Sequence, residues 1–291
     1  MCAPLQGGEF GLDPAAGHGS KGLSDRGGRW FDLVGLLDGK TLIVTGVANR
    51  WSIASGIARR LHAHGARLIL TYQGERVEDA VRDHAEEFGG APVFECDVTK
   101  DASLRALSAG VGKIDGLVHS IAFVKKEDLT GKVYTTSRDG FAMAMDISAY
   151  SLIALVGHLV DNLNDGASIM ALTYLGSGQI VPNYNIAGIA KAALESTVRY
   201  LAFDLGERGI RVNAISAGPI KTASSRQVAG FSAMPGKVAA ASPLKRNVTI
   251  DDVGNVAVYL ASDLSSQVTA DVHFVDAGYH AMGMYPEAGP A

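Results

Sequence analysis

The sequence predicts an α/β fold in which helices cover both faces of a parallel sheet of about seven strands. From Lys40 onward, short β-branched runs alternate with amphipathic stretches of helical period, as successive strand–helix units require. The runs are apolar nearly throughout, which is typical of strands buried on both faces. With 291 residues and 47% hydrophobic content, the chain is large enough for one sizeable domain.

The β-branched runs are the predicted strands. They begin near Thr41, Ala66, Pro92, Gly116, Ala167, Arg211 and Val272. The strongest helix is predicted from about Pro182 to Glu207, with Pro182 in its first turn and Gly209 at its end. Residues 122–139 and 217–246 show no clear period, and long segments of this kind are often lids or binding loops.

Composition excludes several classes of protein. A formal net charge of −4 offers no basic field, so we expect no nucleic-acid partner. Cys2 and Cys96 fit reduced thiols better than a disulfide or a metal site, which favours a cytoplasmic protein without a metal. The best apolar run, 151–160, is too short to span a membrane, so no membrane insertion is predicted. Residues 1–35 have no apolar signal segment and are predicted to be a disordered extension, followed by one domain over residues 36–291.

A glycine turn follows the first predicted strand, where a phosphate-binding loop would lie. Gly46 allows the chain to turn beneath a pyrophosphate, Ser52 offers a hydroxyl, and the next helix offers free N–H groups. The spacing is not Gly-x-Gly-x-x-Gly, and an ordinary tight turn remains the alternative. Gln73 ends the second strand and Asp97-Val98 the third, where an adenosine would lie, so the order of these residues favours a doubly wound, Rossmann-type domain.

Gln73 also indicates which dinucleotide binds. A neutral amide can bond ribose hydroxyls without attracting a 2′-phosphate, so NADH is favoured over NADPH. Arg76 lies three residues further on and could reach a phosphate, so NADPH remains the alternative.

Two tyrosines and one lysine are the candidate chemical groups. Tyr184 and Lys191 are seven residues apart, and seven steps of 100° bring them to within about 20° of one helix face. Their axial offset of about 10 Å leaves room for a cofactor ribose, and the lysine charge would make the phenol more acidic. Tyr174 ends the fifth strand, at the edge where α/β folds bind ligands. A solvated amphipathic face is the alternative interpretation of the tyrosine–lysine pair.

Together these motifs resemble a known family. The chain contains Gly46-x5-Ser52, His119-Ser120-Ile121-Ala122-Phe123, Tyr174, Tyr184-x6-Lys191, Ala217-Gly218-Pro219-Ile220 and Asp276-Ala277-Gly278-Tyr279. This combination is similar to that of bacterial enoyl-(acyl carrier protein) reductases of the FabI type, a divergent branch of the short-chain dehydrogenase/reductases. The likeness extends over about residues 36–284. Ordinary members of the superfamily have Tyr-x3-Lys, whereas Gly188 occupies that lysine position here.

The resemblance implies an NADH-dependent enzyme that reduces the trans-2 double bond of an enoyl thioester on acyl carrier protein, within type II fatty-acid elongation. Hydride would reach the β-carbon, and Tyr184 would stabilise the resulting enolate. Lys191 would orient the cofactor ribose, and Tyr174 would line the thioester site. The resemblance also implies a homotetramer.

The resemblance further assigns individual residues. Val124, Tyr174 and Tyr184 are expected at the substrate, and residues 217–246 are expected to form the substrate-binding loop. The residues expected to contact the cofactor are Gly46, Ser52, Ile53, Gln73, Asp97, Val98, Ile121, Lys191, Ile220, Lys221, Thr222, Ala223 and Ser224.

The substrate loop departs from the family pattern, because small or apolar residues replace the basic ones that commonly dock the acidic carrier. The basic residues left nearby are Arg226, Lys237, Lys245 and Arg246. Two other functions stay open. One is a reductase or dehydrogenase of the same superfamily acting on a carbonyl or alcohol, whose Tyr-x3-Lys signature is missing. The other is a dinucleotide-binding protein without turnover, which the presence of both Tyr184 and Lys191 disfavours.

Overall fold

A parallel sheet of seven strands organises the part of the chain that the computed structural model describes, which is residues 35–222, 225 and 234–284. The strands are β1 (Thr41–Val44), β2 (Arg67–Tyr72), β3 (Val93–Glu95), β4 (Ile114–His119), β5 (Leu163–Thr173), β6 (Arg211–Ala217) and β7 (Val272–Val275). They lie in the order β3-β2-β1-β4-β5-β6-β7, and every neighbouring pair is parallel. The predicted α/β fold is confirmed.

Helices connect these strands. In the described residues they are α1 (Ile53–Ala63), α2 (Glu75–Ala85), α3 (Asp101–Gly110), α4 (Arg138–Met145), α5 (Ser151–Leu159), α6 (Asn185–Leu205), α7 (Met234–Ala241) and α8 (Ile250–Ala261). A π-helical turn, Asp146–Tyr150, joins α4 to α5 without a break. The described residues belong to one compact unit, Leu33–Ala291, whereas the predicted extension over 1–35 lies outside them apart from Gly35.

Apolar side chains are buried on both faces of the sheet. Leu42 and Ile43 are neighbours in β1 but belong to different core clusters, because successive strand side chains point to opposite faces. The Ile43 cluster includes Leu155 of α5, and the Leu42 cluster includes Ile57 of α1. The edge strands β3 and β7 are only partly buried, so the prediction that every strand is buried on both faces was wrong at the two edges.

The longest helix begins later than predicted. Asn183 and Asn185 have φ values of 63° and 33°, so the chain turns through the left-handed region on each side of Tyr184. Regular α-helix therefore starts at Asn185, with Tyr184 as its N-cap, and Pro182 precedes the helix. The helix ends at Leu205, and Gly209 follows a short 3₁₀ turn.

The helical run from Arg138 to Leu159 is longer than the apolar segment considered in the sequence. By length and composition this helix of 22 residues could cross a membrane, and 44% of its most apolar window is buried within the structure. Ala144, Leu152 and Leu155 are fully buried or nearly so, and the helix packs against α6. These contacts favour a core helix over a membrane span.

Helices α1 and α8 pack closely enough to make a specific prediction. A Cβ added at Gly254 would lie 2.8 Å from the backbone oxygen of Gly56 and 2.5 Å from Cγ of Arg60. Gly254→Ala should therefore lower the free energy of unfolding by about 1–3 kcal/mol through overpacking. In a chain of this size that lowers Tm by roughly 2–4 °C for each kcal/mol.

Gly236→Ala in α7 is the matched control, because Gly236 is exposed and a Cβ there meets no atom within 4 Å. Removing a helical glycine should leave stability unchanged or raise it by up to about 1 kcal/mol. Thermal unfolding followed by circular dichroism measures both variants. Equal losses of Tm would contradict the close packing of α1 on α8.

Candidate functional site

A cleft of about 360 Å³ opens beyond the carboxyl ends of β1 and β4. The chain leaves β1 toward β2 on one side and continues from β4 toward β5 on the other, so this is the point where the strand order reverses. Ligands of doubly wound folds bind at such a point. The predicted site residues that line the cleft are Gly46, Ser52, Ile53, Ile121, Val124, Tyr174, Tyr184, Lys191, Ile220 and Thr222.

Gly46 brings the loop after β1 against the loop after β4. Its φ is +77°, and a Cβ at this position would overlap the backbone oxygen of Ser120. The Thr45 hydroxyl donates to the Val118 carbonyl at 2.9 Å and accepts from the Ser120 amide at 3.2 Å, so the two strand ends are joined. Only a residue without a side chain fits here, which leaves the backbone open to a close-lying ligand.

Ser52 organises the first helix of the site. Its hydroxyl caps α1 by accepting from the Ser55 amide at 3.1 Å and donates to the Ser55 hydroxyl at 3.0 Å. The Ser55 hydroxyl in turn donates to the Asn49 carbonyl at 2.7 Å. The helix N-terminus thus faces the cleft with a fixed loop before it, which is an arrangement that suits a pyrophosphate.

The residues expected at the adenosine do not line this cleft. Gln73 and Asp97 nevertheless lie together, because the Gln73 amide donates to the Asp97 carboxylate at 3.3 Å. Burial would raise the pKa of Asp97, but hydrogen bonds from Lys100 and Thr99 outweigh burial and lower it to about 2. Val98 is buried in the core, so its side chain contributes packing in this structure.

The two tyrosines pack against each other. Their ring centroids are 5.0 Å apart and their planes meet at 72°, an edge-to-face arrangement. The Tyr174 hydroxyl lies 3.5 Å from the Met234 sulfur at the start of α7, so the loop that follows β6 reaches back to the end of β5. A Cβ at Gly176 would lie 2.5 Å from the Tyr184 ring, so this glycine makes room for the phenol.

The Tyr184 phenol is less acidic than the sequence argument expected. Burial raises its pKa, and the nearby Tyr174 and Glu195 raise it further. The Lys191 ammonium donates instead to the Leu172 carbonyl at 2.7 Å. Tyr184 is therefore a neutral phenol at neutral pH, suited to donating a hydrogen bond to a developing oxyanion.

Lys191 is buried against the end of β5. Burial lowers the pKa of its ammonium to about 8, although the charge of Glu195 acts in the opposite direction. His119, at the end of β4, is fully buried, and burial together with the Lys191 charge lowers its pKa to about 3. The region behind the cleft thus holds a cation beside a neutral imidazole.

Gly188 explains why the lysine is not four residues after the tyrosine. A Cβ at Gly188 would lie 2.5 Å from the backbone oxygen of Gly176 and 3.6 Å from the Tyr184 ring. A side chain of any size at this position would require the segment after β5 to move. The cation must therefore come from the next turn of α6, where Lys191 lies.

The π-helical turn fixes one wall of the cleft, and sequence reasoning missed it. The Ser148 hydroxyl accepts from the Phe123 amide and donates to the Phe123 carbonyl, each at 3.0 Å. The Ser151 hydroxyl donates to the Ile147 carbonyl at 2.7 Å, so it must accept from Nε2–H of His119 at 2.8 Å. No periodic sequence signal marks a single extra residue in a helix, and only the hydroxyls of Ser148 and Ser151 hint at it.

The loop over residues 217–246 is described only in part. The expected cofactor residues Ala223 and Ser224 and the candidate docking residue Arg226 lie outside the described residues. Lys221 is exposed and does not line the cleft, and Lys237, Lys245 and Arg246 are also exposed. Thr173, Ser148 and Met234 line the cleft as well, and the sequence analysis did not assign them.

A glycine turn that admits a close ligand, a capped helix N-terminus and a buried tyrosine–lysine pair meet in one cleft at the reversal of strand order. These features suit the pyrophosphate and the nicotinamide end of a dinucleotide. The fold and the site together define an oxidoreductase of the short-chain dehydrogenase/reductase class.

Comparison with known proteins narrows this class to one family. The family model described as Enoyl-(Acyl carrier protein) reductase matches residues 46–280. The chain is 51% identical to NADH enoyl-(acyl carrier protein) reductase 1 of Rhizobium meliloti over 86% of this chain and 93% of the relative. It is 44% identical to the NADH-dependent FabI of Escherichia coli, over 86% of this chain and 98% of the relative. The chain belongs to the enoyl-(acyl carrier protein) reductase family, as predicted.

Solved structures agree with this assignment. The enzyme of Aquifex aeolicus superimposes with a TM-score of 0.84 at 46% identity, covering 86% of this chain and 100% of that one. The Bacillus cereus enzyme, solved with NADP+ and an indole naphthyridinone, has a TM-score of 0.84 at 49% identity, over 86% and 99% of the two chains. The Anaplasma phagocytophilum enzyme, solved with NAD, has a TM-score of 0.83 at 40% identity, over 89% and 98%.

Proposed function

We infer that this chain is an NADH-dependent enoyl-(acyl carrier protein) reductase, which reduces the trans-2 double bond of enoyl thioesters in type II fatty-acid elongation. The observation that carries this function is that Tyr184 and Lys191 line the same cleft as the glycine turn at Gly46. The names and the coverage of the relatives support the same reaction and NADH as its cofactor. No observation of this kind favours a reductase or dehydrogenase acting on a carbonyl or alcohol, or a dinucleotide-binding protein without turnover.

The cofactor would lie across the cleft with its pyrophosphate at the N-terminus of α1. Gly46 gives access to the backbone, and Ser52 keeps the helix end in place through its cap. Bound NADH supplies the hydride that the β-carbon of the substrate receives. We also assign cofactor contacts to Gln73, Asp97, Val98, Ile53, Ile121, Lys191 and residues 220–224.

Tyr184 would stabilise the charge that forms on the thioester oxygen. Its phenol stays protonated because burial raises its pKa, so it can donate a hydrogen bond to an enolate oxygen. Tyr174 packs on the edge of this ring and keeps it oriented, while Val124 borders the acyl group. Lys191 would hold the ribose hydroxyls with its ammonium, and the reaction ends with protonation of the α-carbon.

The remaining assignments follow from this function. We propose that residues 36–291 act as one catalytic domain and that residues 217–246 form the substrate-binding loop. The substrate arrives on acyl carrier protein, as the names of the relatives indicate. Because Cys96 is a free buried thiol, as is usual in a reducing compartment, we also propose a cytoplasmic location.

The roles of the tyrosine and the lysine separate in one kinetic experiment. Tyr184→Phe should lower kcat roughly 100-fold, since removal of one donor to an oxyanion costs this much, with the Kd for NADH nearly unchanged. Lys191→Met should raise the Kd for NADH roughly 10- to 100-fold, since it removes charge-assisted hydrogen bonds. Kinetics with crotonyl-CoA or a longer enoyl-CoA and NADH fluorescence titration measure the two effects.

Tyr134→Phe is the control, because Tyr134 is 86% exposed and should change neither constant. An opposite pattern, with Tyr184→Phe weakening NADH binding and Lys191→Met leaving it intact, would contradict these roles. Activity of the unmodified protein only on ketones would support the carbonyl reductase instead. NADH binding without any turnover would support a dinucleotide-binding protein.

Asp97 offers a test of the cofactor preference. Its carboxylate is ionised at neutral pH and lies beside Gln73, so it repels an added 2′-phosphate. Asp97→Asn should raise kcat/KM for NADPH relative to NADH roughly fivefold, which corresponds to about 1 kcal/mol, the interaction of two charges about 4 Å apart in water.

Asp101→Asn is the matched control, since it removes the same charge from the start of α3, where Asp101 pairs with His158. The ratio of the two kcat/KM values, measured at one ionic strength, decides the outcome. A ratio that moves equally in the two variants would show a nonspecific charge effect and reject the role of Asp97.

We also propose a homotetramer. Tyr200 and Phe203 on α6 are 72% and 83% exposed, and Ile153 on α5 is 45% exposed, so two neighbouring helices present apolar side chains. Phe203→Arg should dissociate the assembly to smaller species, because it places a charge in a buried contact. Mass photometry should give about four times the 30.4 kDa chain mass for the unmodified protein and less for the variant. A monomeric unmodified protein would reject the tetramer.

A further inference from the structure

Two hydrogen bonds tie α6 to the last residues of β5. The Lys191 ammonium donates to the Leu172 carbonyl at 2.7 Å. The hydroxyl of Thr173, the next strand residue, donates to the Glu195 carboxylate at 2.6 Å. Lys191 and Glu195 are four residues apart on α6 and so lie on one face of the helix, one turn from each other.

The Thr173 bond fixes the position of a negative charge. The hydroxyl has one hydrogen, which goes to Glu195, and the short distance is typical of a charge-assisted O–H···O bond. Thr173 also lines the cleft, whereas Glu195 lies behind it on the helix. The carboxylate is therefore held one turn away from the ammonium and cannot swing freely into solvent.

Lys191 needs such a neighbour because its ammonium is buried. Only 7% of the residue is exposed, and burial of a cation favours loss of its proton. Burial does lower the pKa of Lys191 to about 8, and the charge of Glu195 is the influence that opposes this. Without the Glu195 charge, a larger fraction of the Lys191 amine would be neutral at any given pH.

We propose that Glu195 is a positioning residue that keeps Lys191 charged for cofactor binding, and that Thr173 holds the Glu195 carboxylate in place for this task. The proposal rests on the function proposed above, in which the Lys191 ammonium binds the ribose. Glu195 touches neither cofactor nor substrate in this role. It acts through Lys191.

Other titratable groups surround the same region. Tyr174 and Tyr184 lie on the cleft side, and His119 lies at the end of β4, where Lys191 lowers its pKa. The segments packed against α6 add Asp128 after β4 and Asp146 in the π-helical turn. All of these groups stay the same in the variants compared below, so their contributions cancel.

The test is the pH dependence of NADH binding to the full-length protein. The ammonium form binds, so affinity should fall as pH rises through the pKa of Lys191, which lies at about 8. Glu195→Gln keeps an acceptor for Thr173 but removes the charge, so this fall should move to lower pH. At pH 9 the variant should bind NADH roughly two- to fivefold more weakly than the unmodified protein, because binding that does not need the ammonium remains, while the two Kd values come together at pH 6.5.

Thr173→Val, which replaces the hydroxyl with a methyl group of similar size, should shift the profile in the same direction by a smaller amount. Glu207→Gln, at an exposed position just after α6, should leave the profile unchanged. A Glu195→Gln profile that coincides with that of the unmodified protein, or that is weakened equally at every pH, would overturn the proposal. Lys191→Met separates a failure of this proposal from a failure of the proposed function. Unchanged NADH binding in that variant would reject the cofactor role of Lys191 itself.

Discussion

The close approach of α6 to the end of β5 is the constraint on which the site depends. The helix can approach because Gly188 and Gly176 lack side chains where their backbones meet, with a Cβ at Gly188 falling 2.5 Å from the Gly176 oxygen. This approach brings the Lys191 ammonium within hydrogen-bond distance of a strand carbonyl and the Tyr184 ring onto Gly176. A wider separation would leave the cation without its acceptor and the phenol without its packing partner.

The fold could be predicted well from the sequence because its central strands are buried on both faces. Val44, Leu117 and Ile169 belong to continuous apolar runs that only a covered parallel sheet explains. The edges were less predictable, since β3 has three residues, of which Glu95 is polar and exposed and the other two are only partly buried. The start of α6 was misplaced, because a proline three residues earlier suggested a first turn while the positive φ values of Asn183 and Asn185 delay it.

The candidate site could be predicted only where a residue type has one dominant chemical use. Gly46, Tyr184 and Lys191 carry such signals, and all three line the cleft. The surrounding residues that set the pKa values of these side chains carry no such signal. The Thr173–Glu195 bond joins residues 22 positions apart. The neutral state of His119 follows from tertiary burial, which no local pattern encodes. The acidity of Tyr184 was misjudged for the same reason, because burial, Tyr174 and Glu195 all raise the pKa of its phenol.

The π-helical turn links the interior of the enzyme to its outer surface. One extra residue in this turn rotates α5 by about 100° relative to α4, which decides the direction that Ile153 faces. The same turn places the Ser148 hydroxyl on both backbone groups of Phe123 in the cleft wall. Deleting one residue from this turn would rotate the outer apolar face that carries Ile153. The same deletion would break both hydrogen bonds between Ser148 and Phe123. A change in helix length here would alter the cleft wall and the outer apolar face together, whereas a substitution can alter either one alone.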